Sequence, residues 1–464
     1  MKKVVIIGGG ISGMAAAHRL IELGQTNQQP LQIILIEASP RLGGIIETKY
    51  RDGFLLERGP DSFISEKPEA LALARRLGLE SRLIQTNEKH RRSFIVRNGR
   101  LRAVPEGFQL LAPSRIWPFI TSDIFSLAGK ARMAADLVLP RKDTNGTNDE
   151  SLASFVRRRL GQEALQRMAQ PMVGGIYTAD PETLSLRATL PRFLEMEREH
   201  RSLILAMLRQ SRAQKGGTSG ARYSLFLSFD QGMQVLVDAL APIKADIRLN
   251  TRAKDLRLDG LTWTITTNTG EKLTADAVCL AVPAYVAASL LNDVNESLAA
   301  KLRQIKYAST ATINFGYRRS AIDHPLDGFG FVVPFMEKRS LIACTFSSVK
   351  FSQRAPDAHV LLRAFAGGAL QPEIFALDED EMSARVEADV LELLGITAKP
   401  LFTEVAKWER SMPQYEVGHL DRVTEMENEA SKTPGLTLAG NSYRGAGIPD
   451  CIRSGEAAAE VMTK

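Results

Sequence analysis

The first forty residues have a hydrophobic pattern that predicts a strand, a helix and a second strand. Residues 4–7 form a continuous apolar run, which is typical of a strand buried on both faces. Between residues 11 and 23 the apolar positions recur near helical spacing, and Gly24 with the polar residues after it ends that helix. Residues 31–36 form the second apolar strand. The chain therefore opens with a βαβ unit.

Further along the chain the pattern is first helical and then rich in strands. Residues 93–104 alternate like a hairpin with Asn98-Gly99 as its turn, and residues 105–140 are apolar but interrupted by prolines. Residues 151–214 have helical periodicity with a break at 174–185. Strand patterns follow from residue 246, a helix is predicted over 378–394, and a strand at 436–438 precedes a last helix from about residue 450. Polar loops at 141–150 and 214–222 separate these regions.

A glycine-rich turn joins the first strand to the first helix. Gly8 allows a tight turn, Gly10 lets the backbone approach a pyrophosphate, and Gly13 lets the helix pack closely on the strand. The free N–H groups at the start of the helix favour phosphate. Glu37 ends the second strand, where its carboxylate can accept hydrogen bonds from ribose hydroxyls and disfavours a 2′-phosphate. These features predict a dinucleotide site that does not take NADP.

The residues after Glu37 indicate that the dinucleotide is FAD rather than NAD. Ala38 and Arg41 precede the pair Gly43-Gly44, and this spacing is similar to an extension found in flavin-dependent amine oxidases and their relatives. In those proteins the cofactor is FAD. The paired glycines let the chain pass close to the cofactor, and Arg41 can pair with a phosphate.

A second half-motif lies near the C-terminus. A short strand is followed by Gly440 and by a glycine-rich stretch that leads into the last helix. This order is similar to that of glutathione-reductase-like flavoproteins, in which a glycine and a helix N-terminus return to the flavin from the far end of the chain. A helix N-terminus stabilises negative charge on a reduced flavin. The FAD domain is therefore expected to be assembled from pieces that are distant in sequence.

Composition narrows the classes of function. The chain has 464 residues with 59 Lys+Arg and 53 Asp+Glu, a net charge of +6, which excludes an acidic disordered chain and gives no reason to expect nucleic acid. Cys279, Cys344 and Cys451 lie far apart and the six histidines are scattered, so we expect a reducing compartment and no metal site. The longest charge-free apolar run, 277–292, contains a proline and is shorter than the ~20 residues of a membrane span.

The chain resembles the protoporphyrinogen oxidase family over nearly its whole length. The segments that carry the resemblance are GGGISGMAAAHRL (8–20), ASPRLGG (38–44), ERGPDSF (57–63), GGIYTADPETLS (174–185), EMEREHRSLILAMLRQ (195–210), GFGFVVP (328–334), MPQYEVGHL (412–420) and LAGNSYRGAGIPDCIRSG (438–455). The first two are shared by many flavoproteins. GIYTADPETLS, PQYEVGHL and GNSYRGAGIPDC are more particular to this family.

The resemblance implies a fold class that combines α/β with α+β. It places a discontinuous Rossmann-like FAD-binding domain at 1–85, 223–260 and 405–464, a substrate domain with a mixed sheet at 86–105 and 261–404, and a helical, membrane-facing domain at 106–222. Residues 107–120 suit docking into a bilayer interface with Trp117 and Phe119 as anchors, and a pocket lid or plain core is the alternative.

The resemblance also implies FAD-dependent oxidation of protoporphyrinogen IX to protoporphyrin IX in haem biosynthesis. Three hydride transfers to flavin N5 would each be followed by reoxidation of the flavin by O₂ to give H₂O₂. Coproporphyrinogen III is the alternative substrate. The partners implied are the porphyrinogen, O₂, a membrane surface, a second copy in a homodimer and a downstream haem-pathway enzyme, with a cytoplasmic location peripheral to the membrane.

Other classes share the N-terminal motifs. A flavin amine oxidase would present an aromatic pair and often a cysteine bonded to the flavin, and Cys451 lies beside the expected flavin loop. A carotenoid desaturase, a nucleotide-sugar mutase and a non-catalytic FAD module are further alternatives. Reduction of the flavin by substrate, rather than flavin binding, separates them.

The chemistry asks for shape and apolar walls rather than acid–base residues. By position in the family, Gly175 brings its backbone near the reacting methylene carbon, although Gly174-Gly175 is also expected to interrupt a helix. Phe329, Val332 and Phe365 are expected to line the substrate pocket.

The propionate anchor and the FAD contacts are also carried over by position. The family usually has an arginine just before the aromatic strand; Ser93 stands there, so we expect Arg92 to be the anchor. The FAD contacts implied are Gly8, Gly9, Gly10, Ile11, Ser12, Gly13, Glu37, Ala38, Arg41, Gly43, Gly44, Gly59, Pro60, Asp61, Ser62, Ala253, Trp408, Gly440, Ile448, Pro449 and Asp450.

Overall fold

A computed structural model describes residues 1–142, 149–214, 225–241 and 243–463 of the chain. Most of the two predicted polar loops, 141–150 and 214–222, therefore lies outside the described residues. The strands are β1 (Lys2–Ile7), β2 (Leu31–Ile36), β3 (Thr48–Arg51), β4 (Phe54–Glu57), β5 (Phe63–Ile64), β6 (Leu83–Gln85), β7 (Phe94–Arg97), β8 (Arg100–Ala103), β9 (Phe108–Gln109), β10 (Ala112–Pro113), β11 (Phe226–Phe229), β12 (Asp246–Arg248), β13 (Ala253–Asp259), β14 (Thr262–Thr267), β15 (Lys272–Ala275), β16 (Ala277–Leu280), β17 (Tyr307–Arg318), β18 (Gly330–Val332), β19 (Ala343–Phe346), β20 (His359–Gly367), β21 (Phe402–Pro413) and β22 (Leu436–Leu438).

The helices complete the described secondary structure. They are α1 (Ile11–Thr26), α2 (Pro68–Arg76), α3 (Ile116–Thr121), α4 (Leu127–Ala134), α5 (Leu152–Arg159), α6 (Gln162–Ala164), α7 (Gln170–Tyr177), α8 (Leu186–Thr189), α9 (Pro191–His200), α10 (Leu203–Gln214), α11 (Gln234–Leu240), α12 (Ala284–Leu291), α13 (Glu296–Leu302), α14 (Ser347–Lys350), α15 (Pro372–Ala376), α16 (Glu379–Leu394), α17 (His419–Ala430) and α18 (Ile448–Met462).

A five-stranded parallel sheet, in the order β12-β2-β1-β16-β22, forms the centre of the nucleotide-binding part. The apolar parts of β1, β2 and β16 are buried on both faces, as the continuous apolar runs of β1 and β2 predicted. Val4 and Ile6 of β1 pack with the apolar side of α1 and α18, whereas Val5 and Ile7 pack with the small sheet β13-β14-β15 and with α12. The predicted βαβ unit is confirmed.

A seven-stranded mixed sheet, in the order β21-β17-β20-β19-β18-β7-β8, forms the second layer. Its outer face carries Phe331, Cys344, Ala364 and Ile313, and it is covered by α16. Its inner face faces the nucleotide-binding part. The predicted hairpin is confirmed as β7–β8, and both Asn98 and Gly99 of its turn have positive φ.

The sheets divide the chain differently from the expected domain boundaries. β16 pairs with β1 in the parallel sheet, and β13–β15 pack on that sheet with α12 and α13. Residues 261–305 thus belong with the nucleotide-binding part, because their apolar side chains complete its core. Conversely β21, from Phe402 to Pro413, is the edge strand of the mixed sheet.

The helical region from α3 to α10 has a core of its own, which includes Phe155, Phe193 and Met207. Phe119 is in this core with 6% of its surface exposed, so its expected role as a membrane anchor is wrong. Its ring packs on Phe108 and Phe125. No helix within the described ranges is long and apolar enough to cross a membrane.

Candidate active site

The glycine-rich loop at the end of β1 has two tightly packed glycines and one open glycine. Gly8 has φ of +112°, and a Cβ there would lie 2.3 Å from the carbonyl oxygen of Ala281. A Cβ on Gly13 would lie 1.9 Å from the Gly8 carbonyl oxygen. A Cβ on Gly10 would meet no described atom within 4 Å. The loop therefore presents bare backbone at Gly10, where a pyrophosphate is expected to approach.

The loop that follows β2 lies against this turn. The Glu37 carboxylate accepts the backbone N–H of Gly9 at 2.6 Å and that of Ser39 at 2.8 Å. The Gly43 N–H donates to the Gly9 carbonyl at 2.8 Å, and Gly44 has φ of +60°. The two glycine motifs thus form one continuous cradle.

Arg41 holds this cradle together. Its guanidinium donates to the carbonyl oxygens of Leu42 at 3.1 Å, Ile46 at 2.9 Å and Gly44 at 2.5 Å. These backbone bonds fix the ends of the Gly43-Gly44 turn. A phosphate contact from Arg41 stays a prediction.

The C-terminal half-motif reaches the same cradle. Helix α18 packs so closely on α1 that a Cβ on Gly455 would lie 2.1 Å from the Ser12 carbonyl oxygen. Gly440 has φ of +133° with no described atom within 4 Å of an added Cβ. The N-termini of α1 and α18 thus lie side by side, and both favour negative charge.

Asp450 occupies the first turn of α18. It is 4% exposed, and its carboxylate accepts from Lys67 Nζ at 2.6 Å and from Arg453 Nη2 at 2.6 Å. Burial and then the charge of Asp450 raise the pKa of Tyr177, at the end of α7, to about 12. The end of α7 is therefore close to the start of α18.

The loop 57–62 lies between the cradle and the inner face of the mixed sheet. The carbonyl oxygen of Arg58 accepts from Trp408 Nε1 at 2.8 Å and from Thr312 Oγ1 at 2.7 Å. The carbonyl oxygen of Gly59 accepts from Arg363. Side chains of the sheet thus hold this backbone loop in place.

The pKa values of Glu57 and Asp61, near the two ends of this loop, are shifted in opposite directions. Burial raises the pKa of Asp61, but Lys350 and Arg363 outweigh burial and hold it well below its usual range. Burial raises the pKa of Glu57 to about 7, against the hydrogen bond from Met233 and the charge of Arg354. Asp61 is therefore a permanent anion, whereas Glu57 titrates near neutrality.

An apolar row crosses the inner face of the sheet. Val332 pairs with Ala343, and Ala343 pairs with Phe365, so their side chains share one face. A Cβ on Gly175 would lie 3.8 Å from Val332 Cγ1, so the α7 backbone faces the end of this row. Gly175 thus lies beside Val332, and Phe365 lies two strands away on the same face; their roles toward a substrate stay predictions.

Gly174 and Gly175 do not break a helix. Residues 162–177 form one continuous helix with a π-helical turn at Leu165–Ala169, and Thr178 ends it in the left-handed conformation. Tertiary packing of α7 overrides the low helix propensity of glycine.

The remaining predicted residues lie at the margins. Phe329 is half-buried, and its N–H donates to the Arg92 carbonyl at 2.8 Å. The Arg92 side chain is 55% exposed and pairs with Asp327 at 3.1 Å. Ala253 begins β13. The roles given to all three stay predictions.

The described residues that meet here match one known family of proteins. The family model of flavin-containing amine oxidoreductases matches residues 11–463. The chain belongs to this family. Its cofactor is FAD, and the two open glycines of the cradle, Gly10 and Gly440, fit a cofactor that lies against bare backbone. The predicted FAD-dependent oxidoreductase is confirmed.

Among its relatives in this family, the chain is similar to proteins named as porphyrinogen oxidases. The chain is 37% identical to coproporphyrinogen III oxidase of Bacillus subtilis (strain 168), with 98% of this chain and 97% of the relative covered. It is 30% identical to chloroplastic protoporphyrinogen oxidase 1 of Arabidopsis thaliana, with 98% and 87% covered. The predicted relationship to the porphyrinogen oxidases is thereby confirmed.

Two solved structures superpose on nearly the whole chain. A crystal structure assigned as a protoporphyrinogen oxidase from Exiguobacterium sp. 255-15 superposes with a TM-score of 0.88 at 30% identity and covers 99% of this chain and 98% of its own. Reduced UDP-galactopyranose mutase superposes with a TM-score of 0.74 at 16% identity, with 100% of this chain and 96% of its own covered, which shows the fold alone.

Cys451 is relevant because amine oxidases often have a cysteine bonded to the flavin, and this residue lies beside the expected flavin loop. Its sulfur is buried against α1 and lies 3.9 Å from the Ala446 carbonyl oxygen. Burial raises the pKa of this thiol to about 12, so it is held as a neutral thiol rather than as the nucleophilic thiolate.

Sequence reasoning missed several residues of this flavoprotein site. Arg363 is a charge inside the otherwise apolar strand β20, and that interruption was the available signal. Lys350, Thr312 and Tyr415 have no such signal. The Tyr415 hydroxyl donates to the Asn441 carbonyl and accepts the Gly445 N–H at 3.1 Å, so it ties the glycine-rich return together.

Proposed function

We propose that the chain oxidises a porphyrinogen to the corresponding porphyrin. The observation that supports it best is the apolar row of Val332, Ala343 and Phe365, which faces the α7 backbone at Gly175 and adjoins the loop 57–62. Asp61 pairs with Arg363, whose guanidinium lies over the Phe365 ring of this row, and two cations hold Asp61 ionised. Such a site offers a shaped apolar wall and no general base, which suits a substrate whose hydrogen leaves as hydride.

FAD held by the cradle of Gly8 to Gly13, Glu37 and Gly440 would supply the redox chemistry, a hydride acceptor that O₂ can reoxidise, with three H₂O₂ per porphyrin as the balance. The protein has other tasks. The apolar row excludes water and orients a methylene bridge, the Gly175 backbone permits close approach, and Trp408 and Thr312 hold the loop 57–62. Three protons leave with the three hydrides, two from pyrrole N–H groups and one from the fourth methylene bridge, and the three hydrides and three protons together reduce three O₂ to three H₂O₂.

Coproporphyrinogen III is the substrate we favour, with protoporphyrinogen IX as the alternative. Three bacterial relatives at 32–37% identity are named coproporphyrinogen III oxidases, whereas the plant relatives named protoporphyrinogen oxidases are at 28–30%. The two porphyrinogens differ by two propionates against two vinyl groups, so a cationic site favours the former.

An anaerobic experiment tests the reaction. The purified flavoprotein is mixed with coproporphyrinogen III or protoporphyrinogen IX, flavin absorbance is followed, and air is then admitted while porphyrin fluorescence is recorded. We expect bleaching of the flavin and then porphyrin, faster with coproporphyrinogen III. A flavin that stays oxidised with both would overturn the proposal. Because porphyrinogens also oxidise spontaneously, a parallel sample without the protein is the control.

We also propose that the helical region docks on a membrane surface. Side chains of α3, α4 and the segment after α4 expose a group of large apolar residues: Ile116 51%, Trp117 74%, Ile120 51%, Leu127 85% and Val138 73%. A Trp beside aliphatic residues is typical of interfacial anchoring. A cytoplasmic, peripheral location, a homodimer, O₂ as the acceptor in the cell and transfer of product to a haem-pathway enzyme belong to the same proposal.

A further inference from the structure

A buried cluster of charges lies on the inner face of the mixed sheet, beside the apolar row. It consists of Asp61, Lys350 and Arg363. Lys350 Nζ lies 2.9 Å from Asp61 Oδ2 and 3.3 Å from Ser62 Oγ, and Arg363 Nη1 lies 3.6 Å from Asp61 Oδ2. The side chains are 13% exposed at Lys350, 16% at Asp61 and 4% at Arg363. We call these three residues the Asp61 cluster.

The Asp61 cluster has more positive than negative charge. Lys350 and Arg363 bring two positive charges, and Asp61 brings one negative charge, so the cluster carries a net charge of about +1. Two further buried groups lie nearby: Arg354 adds one positive charge, and Glu57, which also faces Arg363, adds at most one negative charge, so together they do not remove this excess. The donors of Arg354 go to Ser228 Oγ and to the carbonyls of Phe229 and Asp230. An unbalanced buried cation is costly unless an anion completes it.

Arg363 is also incompletely hydrogen-bonded. Its Nη2 donates to the Gly59 carbonyl, but its buried Nε finds no hydrogen-bond partner among the described residues. A guanidinium has five N–H donors, and a carboxylate is the acceptor that fits two of them at once. The Asp61 contact at 3.6 Å is an ion pair rather than such a bidentate bond.

The position of the cluster points to the substrate. The Arg363 guanidinium lies over the Phe365 ring, 4.7 Å from its centre, and Phe365 begins the apolar row that ends at Val332 beside Gly175. Three adjacent strands span about 10 Å at ~4.8 Å per step. A tetrapyrrole macrocycle lying on this row with one edge at Gly175 would bring a substituent on its opposite edge to the Asp61 cluster.

We propose that Arg363 and Lys350 form a carboxylate-binding subsite that holds one propionate of the porphyrinogen. This proposal rests on the proposed function. It adds an anchor at the edge of the apolar row, separate from Arg92, whose exposed guanidinium pairs with Asp327. A negative charge on the reduced flavin is the other anion that could balance the cluster, and the experiment separates the two.

The test compares two porphyrins that share one macrocycle and differ in whether their four propionates are ionised or methylated. Coproporphyrin III and its tetramethyl ester are titrated into the flavoprotein in the same detergent, and the ratio of the ester Kd to the acid Kd is measured from porphyrin absorbance. We expect Arg363→Gln and Lys350→Gln each to lower this ratio by about tenfold or more, since one partner of a buried charge pair is removed. Arg363→Lys should restore part of the ratio. Arg354→Gln, which removes a buried cation bound only to uncharged oxygens, is the matched control with an unchanged ratio.

Each result decides the proposal. An unchanged ratio in both variants overturns it, and an unchanged ratio with a shifted flavin reduction potential assigns the excess charge to the reduced flavin instead. If Arg363→Gln loses its flavin, Lys350→Gln and Arg363→Lys decide alone. Failure of the proposed function is recognised separately, because wild type would then leave both porphyrinogens unoxidised. Wild type that oxidises coproporphyrinogen III with an unchanged ratio in the variants overturns only the subsite.

Discussion

The indole Nε1–H of Trp408 donates to the backbone carbonyl oxygen of Arg58 across 2.8 Å. Thr312 Oγ1 donates to the same oxygen at 2.7 Å. Both donors belong to the mixed sheet, whereas Arg58 directly follows β4, which pairs with β3 in a separate two-stranded sheet. One carbonyl oxygen therefore ties the mixed sheet to the loop that lies between cofactor cradle and substrate wall.

Because the two donors share one acceptor, their removal should be non-additive. In Trp408→Phe or Thr312→Val the Arg58 carbonyl keeps one donor, and we expect a loss of about 1 kcal/mol in each. The double variant leaves that carbonyl without either donor and should lose ~1–3 kcal/mol beyond the sum. Urea unfolding of the holoprotein measures this. A double-variant loss equal to the sum would contradict the shared-acceptor account.

Local patterns made the nucleotide-binding part predictable. The spacing of Gly8, Gly13 and Glu37 is informative by itself, because Gly13 packs on Gly8 and Glu37 accepts the Gly9 N–H within one βαβ unit. The boundary near residue 260 was wrong, because nothing in residues 277–280 tells a strand of the parallel sheet from a strand of the mixed one. Phe119 was misplaced for a similar reason: an aromatic side chain in a proline-broken stretch suits a surface or a core equally. Lys350 and Arg363 meet Asp61 only through tertiary contacts.

The open glycine of the cradle predicts a variant that folds but loses its cofactor. Gly10 has φ of −70°, which any residue adopts, and an added Cβ meets no described atom. Gly10→Ala should keep its secondary structure while its flavin content falls by about tenfold or more, because the methyl group occupies the pyrophosphate approach. Flavin absorbance per mole of protein and far-UV circular dichroism measure both effects.

Gly13→Ala is the contrasting variant. Its Cβ would lie 1.9 Å from the Gly8 carbonyl oxygen, so the protein itself must shift. It should lose stability as well as flavin. Normal flavin content in Gly10→Ala would show that the cofactor does not approach this backbone.

Gly175→Ala should raise the stability of the protein and lower its activity. Gly175 lies inside a helix, so alanine should stabilise it by ~0.5–1 kcal/mol. The added methyl group has only Val332 Cγ1 near it, at 3.8 Å, and narrows the space between α7 and the apolar row. We expect a higher Tm, unchanged flavin content and a kcat/KM lower by about tenfold or more. Gly174→Ala is the matched control, since its Cβ meets only the flexible end of Gln170. Equal activity in the two variants would remove Gly175 from the site.

If the helical region docks on a membrane, we expect Trp117 to contribute more to membrane binding than any other exposed side chain. Trp117→Ser should reduce the binding of the protein to anionic phospholipid vesicles by about tenfold, because an interfacial tryptophan with 74% of its surface exposed is lost. Leu261, 72% exposed on the turn between β13 and β14, is a matched control as Leu261→Ser. Vesicle sedimentation measures binding. A similar loss in both variants would mean that binding does not use this face of the helical region.

Glu57 predicts a pH dependence of stability with a definite sign. Burial raises its folded pKa to about 7 from 4.5, so between these values the folded state holds a proton that the unfolded state has lost. Stability from this group is therefore greatest below pH 4.5 and falls as pH rises through 7. Glu57→Gln does not titrate, and Thr48 and Met233 can still bond its amide. Relative to wild type, the variant should gain roughly 2–3 kcal/mol between pH 5 and pH 8, measured by urea unfolding at both. All other titrating groups are common to the two proteins, so a difference that stays constant across this range would show that Arg354 keeps Glu57 ionised throughout.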